Sequence, residues 1–301
     1  MLLGHRPTGS LPNGGARAVL TPQVAGAQEH ALFLSSRSFD RATLSASTEV
    51  STLPASYLQD MQPEKKWRTT SKLGQYLRIT LDKPEACNAA VIIGANFTAS
   101  GVARVLGDAD ASGLTGTPSI NTSWQSVWPL SIKPADDSWP SYCTLIRWTN
   151  ESLYKYWELD IADPDPSTSY LEVGRVLIGR AFQPRLNVDT NVGLGLEPSD
   201  VQERSPYGKT FTDNRGDAPR RLVLPFTAVN KRDFHDSFFD LQRYCGIARD
   251  FFCAVDPAET TDFQHYSMQA LFTSAAQFEA QPLFDASGQV WRQSLTLTEP
   301  L

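Results

Sequence analysis

The stretch 66–178 constrains the fold most, because it consists of short β-type segments separated by turn residues. Tyr76–Leu81 alternates polar with aliphatic residues, the period of a strand with one buried face. Ala89–Ile93 is continuously apolar, which is typical of a central strand. Thr144–Trp148 and Tyr154–Ile161 are expected to pair as antiparallel strands across the turn between them. The layout predicts a mainly β protein with a β-sandwich in this part of the chain.

The C-terminal part, 221–301, is expected to combine antiparallel strands with one clear helix. The helix is predicted over Lys231–Cys245, with Asn230 as its N-cap and Gly246 as its stop. Its buried face is marked by apolar residues at helical spacing, namely Phe234, Phe238, Leu241 and Cys245. This region is therefore predicted to be an α+β assembly region.

Composition shifts divide the chain into four parts. Residues 1–30 are rich in Gly, Pro and Ala, which predicts an extended arm that orders only against neighbouring subunits. The sandwich is assigned to 31–180, and 181–220 is expected to be a long loop excursion because Gly, Pro and Asn are frequent there. The region 221–301 follows, with pairing between it and 31–53 as an open alternative.

Charge and targeting signals exclude several classes of partner. The chain has 27 basic and 33 acidic residues, whereas a nucleic-acid-binding protein needs a clustered basic excess. The first residues contain no long apolar run, so we expect neither a secretory signal nor insertion into a membrane. The protein is expected to be made in the cytoplasm with its cysteines reduced, and a metal or cluster role for them is left open. These cysteines are Cys87, Cys143, Cys245 and Cys253.

The sequence predicts no enzyme, no catalytic residue, no metal site and no cofactor. It contains no nucleophile elbow and no metal-ligand spacing of histidines, and Pro198 blocks a helix after the Gly193–Gly195 pair. Carboxylates leave two alternatives open. A glycosidase would need two acids across a cleft, for which Asp136, Asp137, Asp163 and Asp165 are the candidates. Loop binding of Ca²⁺ would use Asp108, Asp110, Asp163 and Asp165.

Three tryptophans are the candidate binding residues. Trp124, Trp128 and Trp139 lie in a Pro- and Ser-rich stretch that reads as an exposed loop. Exposed aromatic faces suit sugar rings or a protein interface, whereas buried tryptophans would be ordinary core residues.

The order of motifs along the chain resembles that of a family of minor tail proteins of tailed phages. The resemblance runs diffusely from Trp67 to the C-terminus, where the strands around Phe226, the helix and the final 291–297 segment also look similar. The matching residues in the sandwich are Trp67, Arg68, Leu81, Ile93, Gly94, Asn96, Tyr156, Trp157, Asp160, Leu171, Glu172, Gly174, Arg175, Ile178 and Gly179.

The resemblance implies a discoidin-like (jelly-roll) β-sandwich and a structural role in the tail tip or baseplate of a long-tailed phage (siphophage). Its expected partners are the tube, hub and tape-measure proteins and further copies of itself around the tail axis. The expected location is the virion tail, after assembly in the host cytoplasm. Discoidin-like folds also bind sugars, so a carbohydrate-binding module that contacts a host surface glycan is the alternative function. The pair Gly174–Arg175 is interpreted as a packing feature at a strand end.

Overall fold

A computed structural model describes residues 29–129, 133, 142–165, 169–197, 201–205, 207–213, 218–274, 279–285 and 288–300. Apart from Glu29 and His30, the predicted arm lies outside these described residues. The chain divides into two compact units. Unit 1 comprises Ser36–Ala181 with Ala258–Phe263, and unit 2 comprises Glu29–Ser35, Phe182–Pro257 and Gln264–Leu301. Unit 1 is therefore inserted into the chain of unit 2.

Strands dominate both units, which confirms the predicted mainly β class. The strands are β1 (Leu32–Ser35), β2 (Thr43–Ala46), β3 (Trp67–Arg68), β4 (Gln75–Ile93), β5 (Val102–Asp108), β6 (Ile120–Asn121), β7 (Gln125–Ser126), β8 (Cys143–Ala162), β9 (Glu172–Val173), β10 (Arg175–Gly179), β11 (Ala181–Phe182), β12 (Gly193–Leu196), β13 (Val201–Arg204), β14 (Thr210–Asp213), β15 (Arg220–Asn230), β16 (Phe251–Ala254), β17 (Ser267–Phe272), β18 (Glu279–Asp285) and β19 (Gly288–Thr298). The helices are α1 (Arg37–Asp40), α2 (Lys231–Asp233), α3 (Phe239–Cys245) and α4 (Phe263–Tyr266), with 3-10 turns at Ala55–Gln59 and Gly113–Thr115 and a π-helical turn at Phe234–Phe238.

In unit 1 two long strands, β4 and β8, pair antiparallel along most of their length. Interruptions in their register between Thr80 and Glu85 and between Cys87 and Ala89 divide the ladder. Beyond β4 and β8, one half is completed by β2 and β5, with β6 and β7 on β5, and we call it the wide half-sheet. Among the described strands, the other half is completed by β10, and we call it the narrow half-sheet.

Both half-sheets contribute to a single buried cluster, which makes unit 1 a β-sandwich. The wide half-sheet supplies every second residue of its strands, because successive side chains point to opposite faces. The cluster includes Leu77, Ile79, Val105, Trp157 and Leu159 from the wide half-sheet and Ile92, Ile146, Val176 and Ile178 from the narrow one.

One predicted connection is wrong. Thr144–Trp148 and Tyr154–Ile161 do not form a hairpin with each other; they are the two ends of the single strand β8. Each end pairs with β4, as in Leu145 opposite Val91 and Tyr156 opposite Thr80. The turn-like residues between them lie at the register interruption, where a break in pairing replaces a reversal of the chain.

Unit 2 is built on an antiparallel sheet with the order β11-β1-β16-β17-β19-β15-β12, and β18 pairs with β19. The predicted helix is found as α2, the π-helical turn and α3, directly after β15 ends at Asn230. The residues of its predicted apolar face, Phe234, Phe238, Leu241 and Cys245, are all buried. Gly246 ends the helix with φ of 52°, a left-handed conformation that glycine adopts easily.

The structure differs from the sequence-based division in two places. β1 belongs to the sheet of unit 2, where it pairs with β16, whereas the sequence assigned 31–180 to the sandwich. For β1 the observed pairing is the open alternative, in which part of 31–53 pairs with 221–301. The segment 181–220 contains β12, β13 and β14, whereas an irregular excursion was expected. Main-chain pairing of Gly193–Leu196 with β15 forms a strand there despite the weak β-propensity of glycine. Within the described part of the chain, no helix has the length and apolarity needed to span a membrane.

Candidate functional site

The outward side of the wide half-sheet carries a cluster of charged and aromatic side chains. Alternation along the strands points Leu77, Ile79, Trp157 and Leu159 inward, so the residues between them face outward. Arg78 on β4 is directly opposite Glu158 on β8, and Arg104 on β5 is directly opposite Asp160 on β8. The central strand therefore contributes two acids, and each flanking strand contributes one arginine.

Each acid is buried and paired. Glu158 is 0% and Asp160 3% exposed. Arg78 Nε donates to Glu158 Oε2 at 2.8 Å, and Arg104 Nε donates to Asp160 Oδ2 at 2.8 Å. Arg104 Nη2 lies 2.7 Å from the same Asp160 oxygen. Such charge-assisted contacts fix the position of each guanidinium group.

Asp160 has the most unusual electrostatics of the cluster. Burial, followed by the negative charge of Glu158, raises the pKa of Asp160 to about 6, although Arg104 acts in the opposite direction. Its second oxygen, Oδ1, is buried and has no hydrogen-bond partner among the described residues. The carboxyl group therefore gains a proton at a mildly acidic pH, at which most surface carboxylates remain ionised.

Aromatic rings adjoin both arginines. The Arg78 guanidinium carbon lies 5.0 Å from the centroid of the Tyr76 ring, and that of Arg104 lies 4.8 Å from the Trp124 ring. Tyr156 lies on the same outward side, and all five side chains are partly exposed. We call Tyr76, Arg78, Arg104, Trp124 and Tyr156 the arginine–aromatic face.

The three tryptophans predicted from the sequence have different positions. Trp124 is part of the arginine–aromatic face. Trp128 is 3% exposed, its Nε1 donates to the Thr98 carbonyl at 2.7 Å, and its ring packs edge-on to Tyr142 at 5.4 Å. It therefore belongs to the core and has no free ring face for a ligand. Trp139 lies outside the described residues.

Two of the candidate loop acids, Asp163 and Asp108, accept hydrogen bonds from nearby turn residues. Asp163 is buried and accepts hydrogen bonds from the backbone N–H and hydroxyl of Thr98 at 2.6 and 2.7 Å and from the Asp165 N–H at 3.0 Å. Asp108 accepts from the N–H groups of Asp110 and Ser119, which lower its pKa. No group of three or more potential metal ligands occurs among the described residues. Asp136 and Asp137 lie outside the described part.

The residues that carry the family resemblance hold unit 1 together. Trp67 is buried, and its Nε1 donates to the Thr48 carbonyl at 3.1 Å. Arg68 forms an ion pair with Glu172 across the β3–β9 pair. The side-chain oxygen of Asn96 accepts from the Glu172 N–H at 2.8 Å. These contacts join segments that are far apart in the sequence.

Gly174 and Arg175 also pack within unit 1. A Cβ atom on Gly174 would lie 2.4 Å from the Pro63 carbonyl oxygen, so only glycine permits this approach. Arg175 is buried, with Nη2 on Asp40 at 2.6 Å and Nη1 on the Leu58 carbonyl at 2.8 Å. All four cysteines are buried, and none of them forms a disulfide with another described residue.

A second exposed feature lies in unit 2, on strands within the segment 181–220. All four residues of β12 and all four of β14 are exposed. β13 and β14 pair antiparallel, and Tyr207 lies between them in the chain. Tyr207 is 94%, Leu196 66% and Phe211 62% exposed. We call Leu194, Leu196, Tyr207 and Phe211 the apolar strand surface.

The main cluster was not predicted from the sequence, although part of its signal was visible. The alternation of Tyr76, Arg78 and Thr80 with aliphatic residues marks an outward side, and Tyr156, Glu158 and Asp160 alternate with apolar residues in the same way. The pairing of Arg78 with Glu158 and of Arg104 with Asp160 depends on strand register, which one sequence does not reveal.

No family model matches the chain, and no curated protein matches it. Among solved structures it is similar to chitosan-binding module 1 of a chitosanase/glucanase from Paenibacillus sp. IK-5, at 15% identity and a TM-score of 0.32, covering 46% of this chain and 96% of that one. A family 32 carbohydrate-binding module of C. perfringens NanJ in complex with galactose matches at 12% identity and a TM-score of 0.36, covering 50% and 99%. Reduced XRCC1 bound to the DNA polymerase beta catalytic domain matches at 16% and 0.32, covering 46% and 95%.

Two of these neighbours are discoidin-like carbohydrate-binding modules, and the third was solved bound to another protein. Likeness at such values of identity and TM-score assigns no ligand to this chain.

Proposed function

We propose that the protein is a non-catalytic recognition module that binds saccharide through the arginine–aromatic face. The observation that carries this proposal is the fixed position of two partly exposed guanidinium groups by two buried carboxylates, Glu158 and Asp160. Side chains that are already ordered lose little conformational entropy when a ligand binds. The face therefore offers oriented hydrogen-bond donors at a low cost in binding free energy.

The chemistry of the face suits a sugar. Trp124 and Tyr156 provide partly exposed rings, against which the apolar side of a pyranose can pack. Arg78 and Arg104 provide N–H donors for ring oxygens and hydroxyl groups. The combination of an aromatic platform with a few fixed polar groups is typical of small-ligand sites.

Binding of the full-length protein to a glycan array tests this function. We expect Trp124→Ala and Tyr156→Ala to weaken binding about tenfold or more, because each removes a ring from the face. Tyr207→Ala, which removes an exposed ring in unit 2, is the matched control and should bind as the wild type does. Binding that survives both face substitutions would place the saccharide site elsewhere, and an array without any binding would reject the proposal.

The second candidate function is a structural component of the tail tip of a long-tailed phage, located in the virion. The apolar strand surface favours it, because large apolar side chains that stay exposed are often covered by another chain in an assembly. The order of motifs shared with minor tail proteins supports the same role. Tube, hub and tape-measure proteins and further copies of this chain are the proposed partners. The two functions are compatible, because they use different units.

Immuno-electron microscopy of virions with a tag on this protein tests the structural role, and label at the tail tip is expected. The double variant Leu196→Ser/Phe211→Ser should reduce incorporation into particles, with Trp124→Ala as the control that assembles normally. Label confined to the capsid, or particles that lack the protein, would contradict this role.

A further inference from the structure

Each arginine of the face uses only part of its guanidinium group within the protein. Arg78 contacts Glu158 through Nε, and no acceptor among the described residues contacts its Nη1 or Nη2. Arg104 contacts Asp160 through Nε and Nη2, and its Nη1 has no acceptor in the described part of the chain. Both side chains are partly exposed, at 37% and 26%. Fixed N–H donors therefore remain for a ligand.

The free donors favour an oxyanion. Guanidinium N–H groups match the geometry of carboxylate, sulfate and phosphate oxygens, and such contacts are stronger than those to neutral hydroxyls. We infer that the arginine–aromatic face binds an anionic saccharide. Its acidic group is held by Arg78 and Arg104, while a sugar ring of the same saccharide packs on Trp124. This inference rests on the proposed function and specifies its ligand class.

The buried acids beneath the face provide a second, independent property. With both acids ionised, their charges balance those of the two arginines, so the site gains one net positive charge when Asp160 is protonated. Affinity for an anion should therefore rise as the pH falls through about 6, where Asp160 titrates. The titratable and charged groups next to Asp160 are Tyr76 and Arg78 on β4, Arg104 on β5, and Tyr156 and Glu158 on β8.

The net charge of the chain disfavours non-specific adsorption of polyanions. That charge is −6, so the protein as a whole repels a polyanion. At physiological ionic strength this repulsion is screened beyond about 8 Å, whereas direct contacts with Arg78 and Arg104 persist. Saturable binding under these conditions would therefore report a defined site.

Calorimetric titration of the full-length protein in 0.15 M salt tests the inference with three polymers. Polygalacturonate presents carboxylates, dextran sulfate presents sulfates, and neutral dextran is the matched uncharged control. We expect at least one acidic polymer to bind at least tenfold tighter than dextran, and the acidic polymer that binds identifies the preferred group. Its affinity should increase on the order of tenfold from pH 7.5 to pH 5, as one negative charge near the anion is removed.

Charge-balanced variants separate binding from folding. Arg78→Gln/Glu158→Gln and Arg104→Gln/Asp160→Asn each remove an ion pair without leaving a buried unpaired charge, so the fold should persist, as thermal unfolding can verify. Both should lose tenfold or more in affinity for the acidic polymer. Asp160→Asn alone should bind the acidic polymer at pH 7.5 as tightly as the wild type does at pH 5, and its affinity should no longer depend on pH.

Three results would overturn the inference. Equal affinity for dextran and the acidic polymers would remove the anionic specificity and leave the saccharide-binding function standing. Acidic-polymer binding that is unchanged in folded double variants would place the site elsewhere. Absence of binding to every saccharide, on the polymers and on the array, would reject both the inference and the proposed function.

Discussion

At the scale of single residues, the contacts separate positions that hold the fold from positions on the proposed binding face. The residues that carry the resemblance to tail proteins, such as Trp67 and Gly174, have buried structural contacts. Arg78 and Arg104 combine a buried contact with exposed donors. Asp160, which is also among the residues that carry the resemblance, accepts a hydrogen bond from Arg104 and so fixes its position.

Replacement of Asp160 by Asn should change how stability depends on pH. The pKa of Asp160 is raised in the folded protein, so its stabilising contribution is complete below the unfolded pKa and is lost as pH rises through about 6. Between about pH 7.5 and pH 5 the wild type should therefore gain about 1 kcal/mol in free energy of unfolding relative to Asp160→Asn. Urea unfolding of both proteins at the two pH values measures this, and parallel pH profiles would contradict the raised pKa.

Gly174→Ala should destabilise unit 1 by about 1–3 kcal/mol, because the added methyl group would meet the Pro63 carbonyl at 2.4 Å. Gly195→Ala is the matched control, since nothing lies within 4 Å of its Cβ position. Its effect should stay within about 0.5 kcal/mol. Denaturant unfolding compares the two variants, and equal stability would show that the loop around Pro63 moves freely.

At the scale of elements, the helical segment after β15 offers a test through two adjacent phenylalanines. The Phe238 ring is buried, with ring centroids of Phe33, Phe182 and Phe226 at 5.2–5.3 Å. Phe239 is 48% exposed. The helix therefore presents one ring to the core of unit 2 and the next to its surface.

Phe238→Ala should cost about 3–5 kcal/mol in free energy of unfolding, because it leaves a cavity among the three surrounding rings. Phe239→Ala changes the same residue type one position later and should cost about 1 kcal/mol or less. Thermal unfolding of the two variants gives the comparison. Similar losses of stability would mean that the helix is rotated from the described orientation.

The sequence predicted helices and strands better than it predicted which strands pair with each other. The helix and its buried face follow from a period that is local in the chain, and so does the outward side of β4. The continuity of β8 and the place of β1 depend on pairing with strands far away in the sequence, which periodicity does not contain. The same limit hid the contact of Arg78 with Glu158. Burial of Trp128 was hidden because a Pro- and Ser-rich context resembles an exposed loop.

At the scale of the whole molecule, each unit has its own core and its own two buried cysteines. Cys87 and Cys143 belong to unit 1, and Cys245 and Cys253 to unit 2. Burial raises the pKa of Cys87 to about 12 and also raises that of Cys253, so both thiols resist deprotonation in the folded protein. Thiol reactivity can therefore report the opening of each unit separately.

Gly174→Ala should accelerate labelling of Cys87 and Cys143 and leave Cys245 and Cys253 unchanged. The reason is that proteins open in cooperative units, and this substitution strains only unit 1. Pulsed alkylation in moderate urea, followed by peptide mass spectrometry, measures all four sites in one sample. Phe238→Ala should give the opposite pattern. Uniform acceleration at all four cysteines would show that the two cores open together.

The insertion of unit 1 into the chain of unit 2 has a consequence for the order of events during synthesis. The ribosome makes β1 first, yet its partner β16 follows more than 200 residues later, as Leu34 opposite Phe252 shows. At translation rates of roughly 5–20 residues per second, the apolar strand waits about 10–40 s for that partner. The strands of the sandwich, β2 to β10, are all made within this interval, so they should pair while the sheet of unit 2 is still open. A nascent chain halted before β16 would carry a finished sandwich and an unpaired, aggregation-prone strand, which is where a chaperone would be needed.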